Sequence, residues 1–293
     1  MQTYGIFYNP TAGNGAGPAN AAVVKRGLEQ NGIRGQMLNA PTKAAASALL
    51  ARAVHRIDAL VVLGGDGTLN TAVSAMISEH CPIPLGIIPS GTINNFASHL
   101  QIPLDVNAAT ELMLNGKRDT VDIAAIDDRQ AVVSSLTFGR LADIANDVRQ
   151  QDKQRFGKLA YIGTALRRIG RHRSYNIEYQ IDGEKPGAMR TWMALITTTP
   201  NIGGKQYTTA APAHLHLSAL HNIGIAQILP YLHFVWTGTI GTTSTGVAYL
   251  TPQTVKLRAL DNNTIDTRVD GDPGPTLPIT VSILPNYLTV LGI

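Results

Sequence analysis

Between Leu60 and Asn70 the chain reads LVVLGGDGTLN: an apolar run stops at Gly64, Gly65, Asp66 and Gly67, and a helix is expected from Thr68. A strand that ends on bare glycines at a helix start gathers unpaired main-chain N–H groups and the positive end of a helix dipole in one place, which makes an anion site. Without side chains in the way, phosphate oxygens reach the main chain, and the Thr68 hydroxyl adds a donor. Asp66 does not fit that picture by itself. A carboxylate repels a phosphate unless a cation or a transferable proton lies between them, so a Mg²⁺ ion or a substrate hydroxyl is expected beside it. The bland alternative is an aspartate that caps a helix in a tight turn.

Two further loops have the same character: Asn9, Pro10, Thr11, Ala12 and Gly13, with Gly15 and Gly17 behind them, and Pro89, Ser90, Gly91 and Thr92, ahead of a helix start at Asn94–Ala97. One glycine-rich turn is weak evidence. Three of them at the carboxyl ends of parallel strands converge on one crevice. Elsewhere the chemistry-bearing residues favour plainer readings. His214, His216 and the nearby His221 read as surface or hydrogen-bonded groups before they read as metal ligands. Arg167, Arg168, Arg171 and Arg173 gather where a helix from about Lys158 to Ile169 should end, either as solvated cations favoured by the helix dipole or as a patch for anionic headgroups.

The elements needed to hold these loops are legible. Strand-like Tyr4–Tyr8, Ala59–Leu63 and Pro84–Ile88 alternate with helical Ala19–Gln30, Lys43–Arg56 and Leu69–Ser78. Such alternation implies right-handed βαβ units and a parallel sheet covered on both faces. After about Asp122 the texture changes to short segments rich in Val, Ile, Thr and Tyr, namely Gln130–Thr137, Tyr175–Ile181, Thr191–Thr198, Thr254–Ala259 and Ile279–Leu284, which favours antiparallel sheets. The expected organisation is a three-layer αβα domain over residues 1–124 and an antiparallel β domain over 125–293.

Composition narrows the function classes. With 293 residues, 44% of them hydrophobic, the chain can bury two ordinary cores. Its 24 basic and 20 acidic residues leave a formal charge of +4, too slight an excess for a nucleic-acid partner. The single cysteine, Cys81, excludes a disulfide framework and a cysteine-based metal cluster. No stretch is apolar enough to cross a bilayer, and the expected location is cytoplasmic, soluble or peripheral to a membrane. From Gln206 to Val255 there is no Asp, Glu, Lys or Arg. That suits a sandwich interior with neutral turns, or a wall facing acyl chains.

The motifs NPTAG (Asn9–Gly13), GGDGTLN (Gly64–Asn70), SGTINNFA (Ser90–Ala97), FGKLAY (Phe156–Tyr161) and VDGDP (Val269–Pro273) resemble, in order and spacing, the bacterial lipid kinases of the diacylglycerol kinase catalytic-domain family, relatives of sphingosine kinases. The resemblance runs from residue 4 to about 290. It implies a nucleotide-binding first domain, a β-sandwich second domain that binds lipid, a last strand near 285–293 returning to the first domain, and ATP with Mg²⁺ as the phosphoryl donor. Carried over position by position, Asn9–Gly13, Thr42, Asp66–Asn70 and Thr92 would hold the nucleotide. Asp272, where the family usually has glutamate, would take the proton from the lipid hydroxyl, and Asp270 is the neighbouring acid, either structural or near the metal. The resemblance stops at Thr71 and Asn95, where family members often carry acids. It also stops at the loop 211–222, which has none of the aspartates that hold a structural Mg²⁺ in bacterial relatives.

The leading expectation is therefore an ATP-dependent lipid kinase acting at a membrane surface, most simply on diacylglycerol, alone or as a homodimer. A kinase of a soluble substrate in the manner of NAD kinase, and a nucleotide- or lipid-binding protein without catalysis, are the alternatives.

Overall fold

The computed structural model describes residues 1–10, 15–139, 174–202, 205–206, 211–220, 247–261 and 264–293. They divide into two compact units, one of Met1–Ser134, Asn201–Lys205 and Ser282–Ile293, the other of Ser135–Pro200 and Gln206–Val281. The expected helix from Lys158 to Ile169, the arginine cluster after it, the Phe156–Tyr161 motif, His221, and Thr11, Ala12 and Gly13 lie outside the described residues, as does most of the uncharged stretch.

The first unit alternates β1 (Thr3–Tyr8), α1 (Gly17–Gln30), β2 (Arg34–Asn39), α2 (Lys43–Ala53), β3 (Ala59–Gly64), α3 (Asp66–Ser78) and β4 (Leu85–Pro89), then continues through α4 (Asn95–His99), α5 (Val106–Asn115), β5 (Arg118–Ile126) and β6 (Gln130–Val132). Strands β2, β1, β3 and β4 lie side by side in that order, all parallel. Every residue of β3 is buried, as an apolar strand covered on both faces must be. The helices turn stripes inward: Ala21, Val24 and Leu28 on α1, and Ala46, Leu50 and Ala53 on α2, fall at helical spacing and are buried. Helix α3 adds a polar stripe to its apolar one. Asn70 Nδ2 donates to the Ala131 carbonyl (2.6 Å), Ser74 Oγ accepts from the Ala131 amide (2.9 Å), and Ser78 Oγ donates to the Arg129 carbonyl (3.1 Å). Spaced four residues apart, these side chains tie the helix to the main chain at the β5–β6 hairpin.

The second unit is antiparallel. It contains β7 (Ser135–Gly139), β8 (Tyr175–Ile181), β9 (Gly187–Thr191), β10 (Met193–Thr197), β13 (His216–Leu220), β14 (Val247–Leu250), β15 (Thr254–Ala259), β16 (Asp266–Val269) and β17 (Asp272–Thr276), with the two-residue pieces β11 (Asn201–Ile202) and β12 (Lys205–Gln206) intervening in sequence. One sheet runs β14, β13, β10, β7, β16, β17; β15, β8 and β9 form a second antiparallel run. The long last strand β18 (Ile279–Leu291) starts in this unit, and its residues from Ser282 belong to the first, where Val290 pairs in parallel with Leu85 of β4.

Candidate functional site

In the first unit the strand order β2, β1, β3, β4 reverses direction between β1 and β3. In an open parallel sheet the connections on either side of that point leave on opposite faces, and a crevice opens beyond the carboxyl ends of the strands. The three glycine-bearing loops follow β1, β3 and β4, the strands at and beside the reversal.

The loops after β3 and β4 are locked together. Ser90 N–H donates to the Gly64 carbonyl (3.0 Å). A Cβ placed on Gly91 would lie 2.5 Å from the Gly65 Cα, and one on Gly65 would lie 3.1 Å from the Gly91 Cα. A side chain is thus excluded at Gly91, and crowded at Gly65, first by the opposite backbone, whatever ligand also approaches. Gly64 is closed off in its own way, because a Cβ there would collide with the Thr68 side chain.

Asp66 meets protein. Its carboxylate, 9% exposed, accepts from Asn95 N–H through Oδ2 (3.0 Å) and from Phe96 N–H through Oδ1 (3.1 Å). As the first residue of α3 it caps the first turn of α4, thirty residues on in sequence. The N-terminus of α4 therefore already holds an anion, the protein's own. Helix α3 is different: its N-cap, Gly65, has no side chain to offer, and Thr68 N–H turns back to the Gly65 carbonyl (3.0 Å). Among the described residues the amides of Asp66 and Gly67 have no acceptor, so this helix start keeps donors available to a bound anion.

The other sequence-predicted positions fall as follows. Thr68 is half-buried, while Leu69 lies in the hydrophobic core and Asn70, 2% exposed, binds the Ala131 carbonyl, so both side chains of that pair serve the fold. Asn9 is exposed at the end of β1 and Pro10 half-buried, and the Asn9 carbonyl lies where a Cβ on Gly17 would sit (2.8 Å). Thr42 is exposed and caps α2, its hydroxyl accepting from Ala45 N–H (3.2 Å). Ser90 is half-buried; Gly91 and Thr92 are exposed. Thr71, one of the missing acids, donates its hydroxyl to the Gly67 carbonyl (3.0 Å). Position 95, the other, contributes its main chain to the Asp66 cap.

One participant was not singled out from the sequence. Asn94 is 6% exposed, in the left-handed conformation (φ 54, ψ 50), and holds Gly91 from both sides: Oδ1 accepts from Gly91 N–H (2.9 Å) and Nδ2 donates to the Gly91 carbonyl (3.0 Å). The signal available was an asparagine three residues past a glycine at a helix start, since asparagine tolerates this backbone and bonds locally.

In the second unit, Asp270 and Gly271 form the two-residue turn between β16 and β17, both at positive φ (52 and 91), the conformation that Asp-Gly hairpins favour. Asp270 is anchored to β7: its Oδ1 accepts from Ser135 N–H (2.9 Å) and its own N–H donates to the Ser135 carbonyl (2.8 Å). Asp272 is the first residue of β17, half-buried beside that turn and paired in register with Val269. Strand β17 is the last of its sheet, which suits Pro273 and Pro275 because prolines cannot donate to a further strand. His216 is buried and shares a hydrogen bond with the Tyr249 hydroxyl (2.6 Å), whereas His214 bonds the Pro212 carbonyl (2.7 Å). Burial, and then the neighbouring His214, hold the His216 imidazole below its usual pKa, so it favours the neutral form. Among the described residues no three His, Cys, Asp or Glu side chains are grouped to hold a metal, and no helix is long and apolar enough to cross a membrane.

Residues 3–126 match the family model described as "Diacylglycerol kinase catalytic domain", and residues 132–292 the one described as "YegS C-terminal NAD kinase beta sandwich-like domain". A "Putative lipid kinase" of Staphylococcus epidermidis is 34% identical over 151 residues, which is 51% of this chain and 48% of that protein. The match thus spans about half the length of that relative. Another, of Staphylococcus aureus strain JH9, is 27% identical over 243 residues, 81% of this chain and 78% of that protein. Among solved structures, a "putative diacylglycerol kinase" from Bacillus anthracis str. Sterne superposes with a TM-score of 0.78 at 17% identity, covering 100% of this chain and 97% of that one. At that identity the likeness is one of fold.

Proposed function

The chain belongs to the diacylglycerol kinase catalytic-domain family, and on that premise we propose that it is an ATP-dependent lipid kinase, moving the γ-phosphate of ATP to a hydroxyl of a membrane lipid, in the simplest case diacylglycerol to give phosphatidic acid. The observation that supports this best is the open start of α3 beside the strand-order reversal. There the amides of Asp66 and Gly67 and the Thr68 hydroxyl offer donors to phosphate oxygens, as helix starts in nucleotide-binding sheets do. Asn9–Gly13, Thr42 and Ser90–Thr92 are the further positions proposed to hold the nucleotide.

Mg²⁺ carried by ATP fits the residues present, because this ion takes most of its ligands from phosphates and water and needs only one or two carboxylates. Asp66 is the carboxylate in the loop proposed to hold the phosphates. Each of its oxygens keeps acceptor capacity beyond the amide it already binds. When bound, the ion neutralises charge on the transferring phosphoryl group. Asp272 is the proposed base. It takes the proton from the lipid hydroxyl as that oxygen bonds to the γ-phosphorus and the bond to the β-phosphate oxygen breaks, releasing ADP. A lipid acceptor places the enzyme at a membrane surface, and the uncharged stretch from Gln206 to Val255 is the proposed region for its acyl chains.

Radiolabelled γ-phosphate offered with a mixed lipid extract and with NAD tests the reading: label is expected in the organic phase, and label on NAD alone would replace the lipid with a soluble acceptor. Asp272→Asn should lower lipid phosphorylation by at least about a hundredfold while ATP still binds. Turnover near the wild-type level would remove Asp272 from the role of base.

A further inference from the structure

We infer that Asn94 is the positioning residue of the loop between β4 and α4: by fixing Gly91 from both sides it holds the intervening Thr92 hydroxyl where it can meet the nucleotide, an assignment that rests on the ATP reading above. Asn94 is buried, whereas Thr92 and Ile93, the two residues between it and Gly91, are exposed. Gly91 is seated against the Gly65 backbone, and Asn94 starts the helix that Asp66 caps. The loop is therefore a two-residue span between anchored ends, and the ends are joined by one carboxamide. The carboxamide supplies both the acceptor for Gly91 N–H and the donor for the Gly91 carbonyl; a carboxylate lacks the donor. Glycine and asparagine are the residues that accept the left-handed backbone of position 94 most readily, which allows its two properties to be separated.

Asn94→Gly keeps the backbone conformation and deletes the bracket. Two measurements on the full chain test the inference. Without nucleotide, the Gly91 amide should exchange with solvent faster in Asn94→Gly than in the wild type, with Asn94→Asp between them because it keeps one of the two bonds. With ATP, calorimetry should show the dissociation constant raised about tenfold in Asn94→Gly, the scale of one or two ordinary hydrogen bonds. Adding Thr92→Val to Asn94→Gly should then cost nothing further, since the effect passes through Thr92. An unchanged ATP affinity in Asn94→Gly despite a freed Gly91 amide overturns the inference, and so does a fully additive Thr92→Val. If the wild type binds no ATP while the Gly91 amide still responds as expected, the nucleotide reading itself is overturned and the positioning role falls with it.

Discussion

Two helix starts lie side by side in the first unit, each fed by a strand and a glycine turn, and they have opposite electrostatic fates. At α4 the first amides are met by the Asp66 carboxylate; at α3 they are left open. A glycine-rich turn before a helix is thus not an anion site in itself. It becomes one only where the protein has not already supplied the anion. Here a single aspartate does both things: it leaves its own helix start uncapped and closes the neighbouring one, so that of these two starts only α3 keeps free donors. The largest expected effect follows from removing it. Asp66→Ala leaves two amides of α4 without a partner in a buried place, at a cost of about 3 kcal/mol. Equilibrium urea unfolding should show the loss, and a midpoint unchanged from the wild type would mean that α4 does not depend on this carboxylate.

The second difference between the loops is steric. Gly91 and Gly65 face one another, yet the clearance is unequal: an added methyl at 91 would sit 2.5 Å from the opposite backbone, against 3.1 Å at 65. Backbone cannot swing aside as a side chain can. Gly91→Ala should therefore destabilise by about 2 kcal/mol and Gly65→Ala by less, as overpacking does in tight sites. The two midpoints measured together check the order, and a reversal would show that the loops are not held at this spacing.

How much of this was readable beforehand depended on the range of the interaction. Strands β1, β3 and β4 announce themselves as apolar runs because both of their faces are covered. Strand β2, RGQMLN, was missed: it lies at the end of the sheet and buries only Gly35 and Leu38, so its composition is that of a loop. The segment Gln130–Thr137, read as one strand, breaks into β6 and β7, since Val133 and Ser134 separate two different sheets. The loops after β1, β3 and β4 are legible from glycine spacing, a local signal, whereas the Asp270–Gly271 turn inside VDGDP was not read as a turn, although Asp-Gly is a local turn signal too. The partner of Asp66 was not visible. Its amides lie 29 and 30 residues away and belong to the main chain, which leaves no mark on residue type. For the same reason Asn70 reads as one more polar residue of the loop, although its side chain ends on a carbonyl 61 positions later.

His216 in the second unit extends the comparison to a buried polar group of the other kind. The Asp66 carboxylate is met by two main-chain N–H groups; His216, 1% exposed, has the Tyr249 hydroxyl for a partner and that residue's ring stacked beside it, and its burial favours the neutral form. Its folded pKa lies below the unfolded value of 6.5, through burial first and His214 second. The stability associated with the neutral ring is therefore fully present above about pH 6.5. Below it, the unfolded chain takes up the proton first, and stability is lost as pH falls toward the folded pKa. The loss from this one group is no steeper than about 1.4 kcal/mol per pH unit. Urea midpoints from pH 8 to pH 5, compared between the wild type and His216→Gln, isolate it from the other histidines: the wild type should lose stability faster on acidification. Parallel curves would mean that the ring titrates alike in both states, and that the Tyr249 hydroxyl accommodates an imidazolium as readily as the α4 amides accommodate a carboxylate.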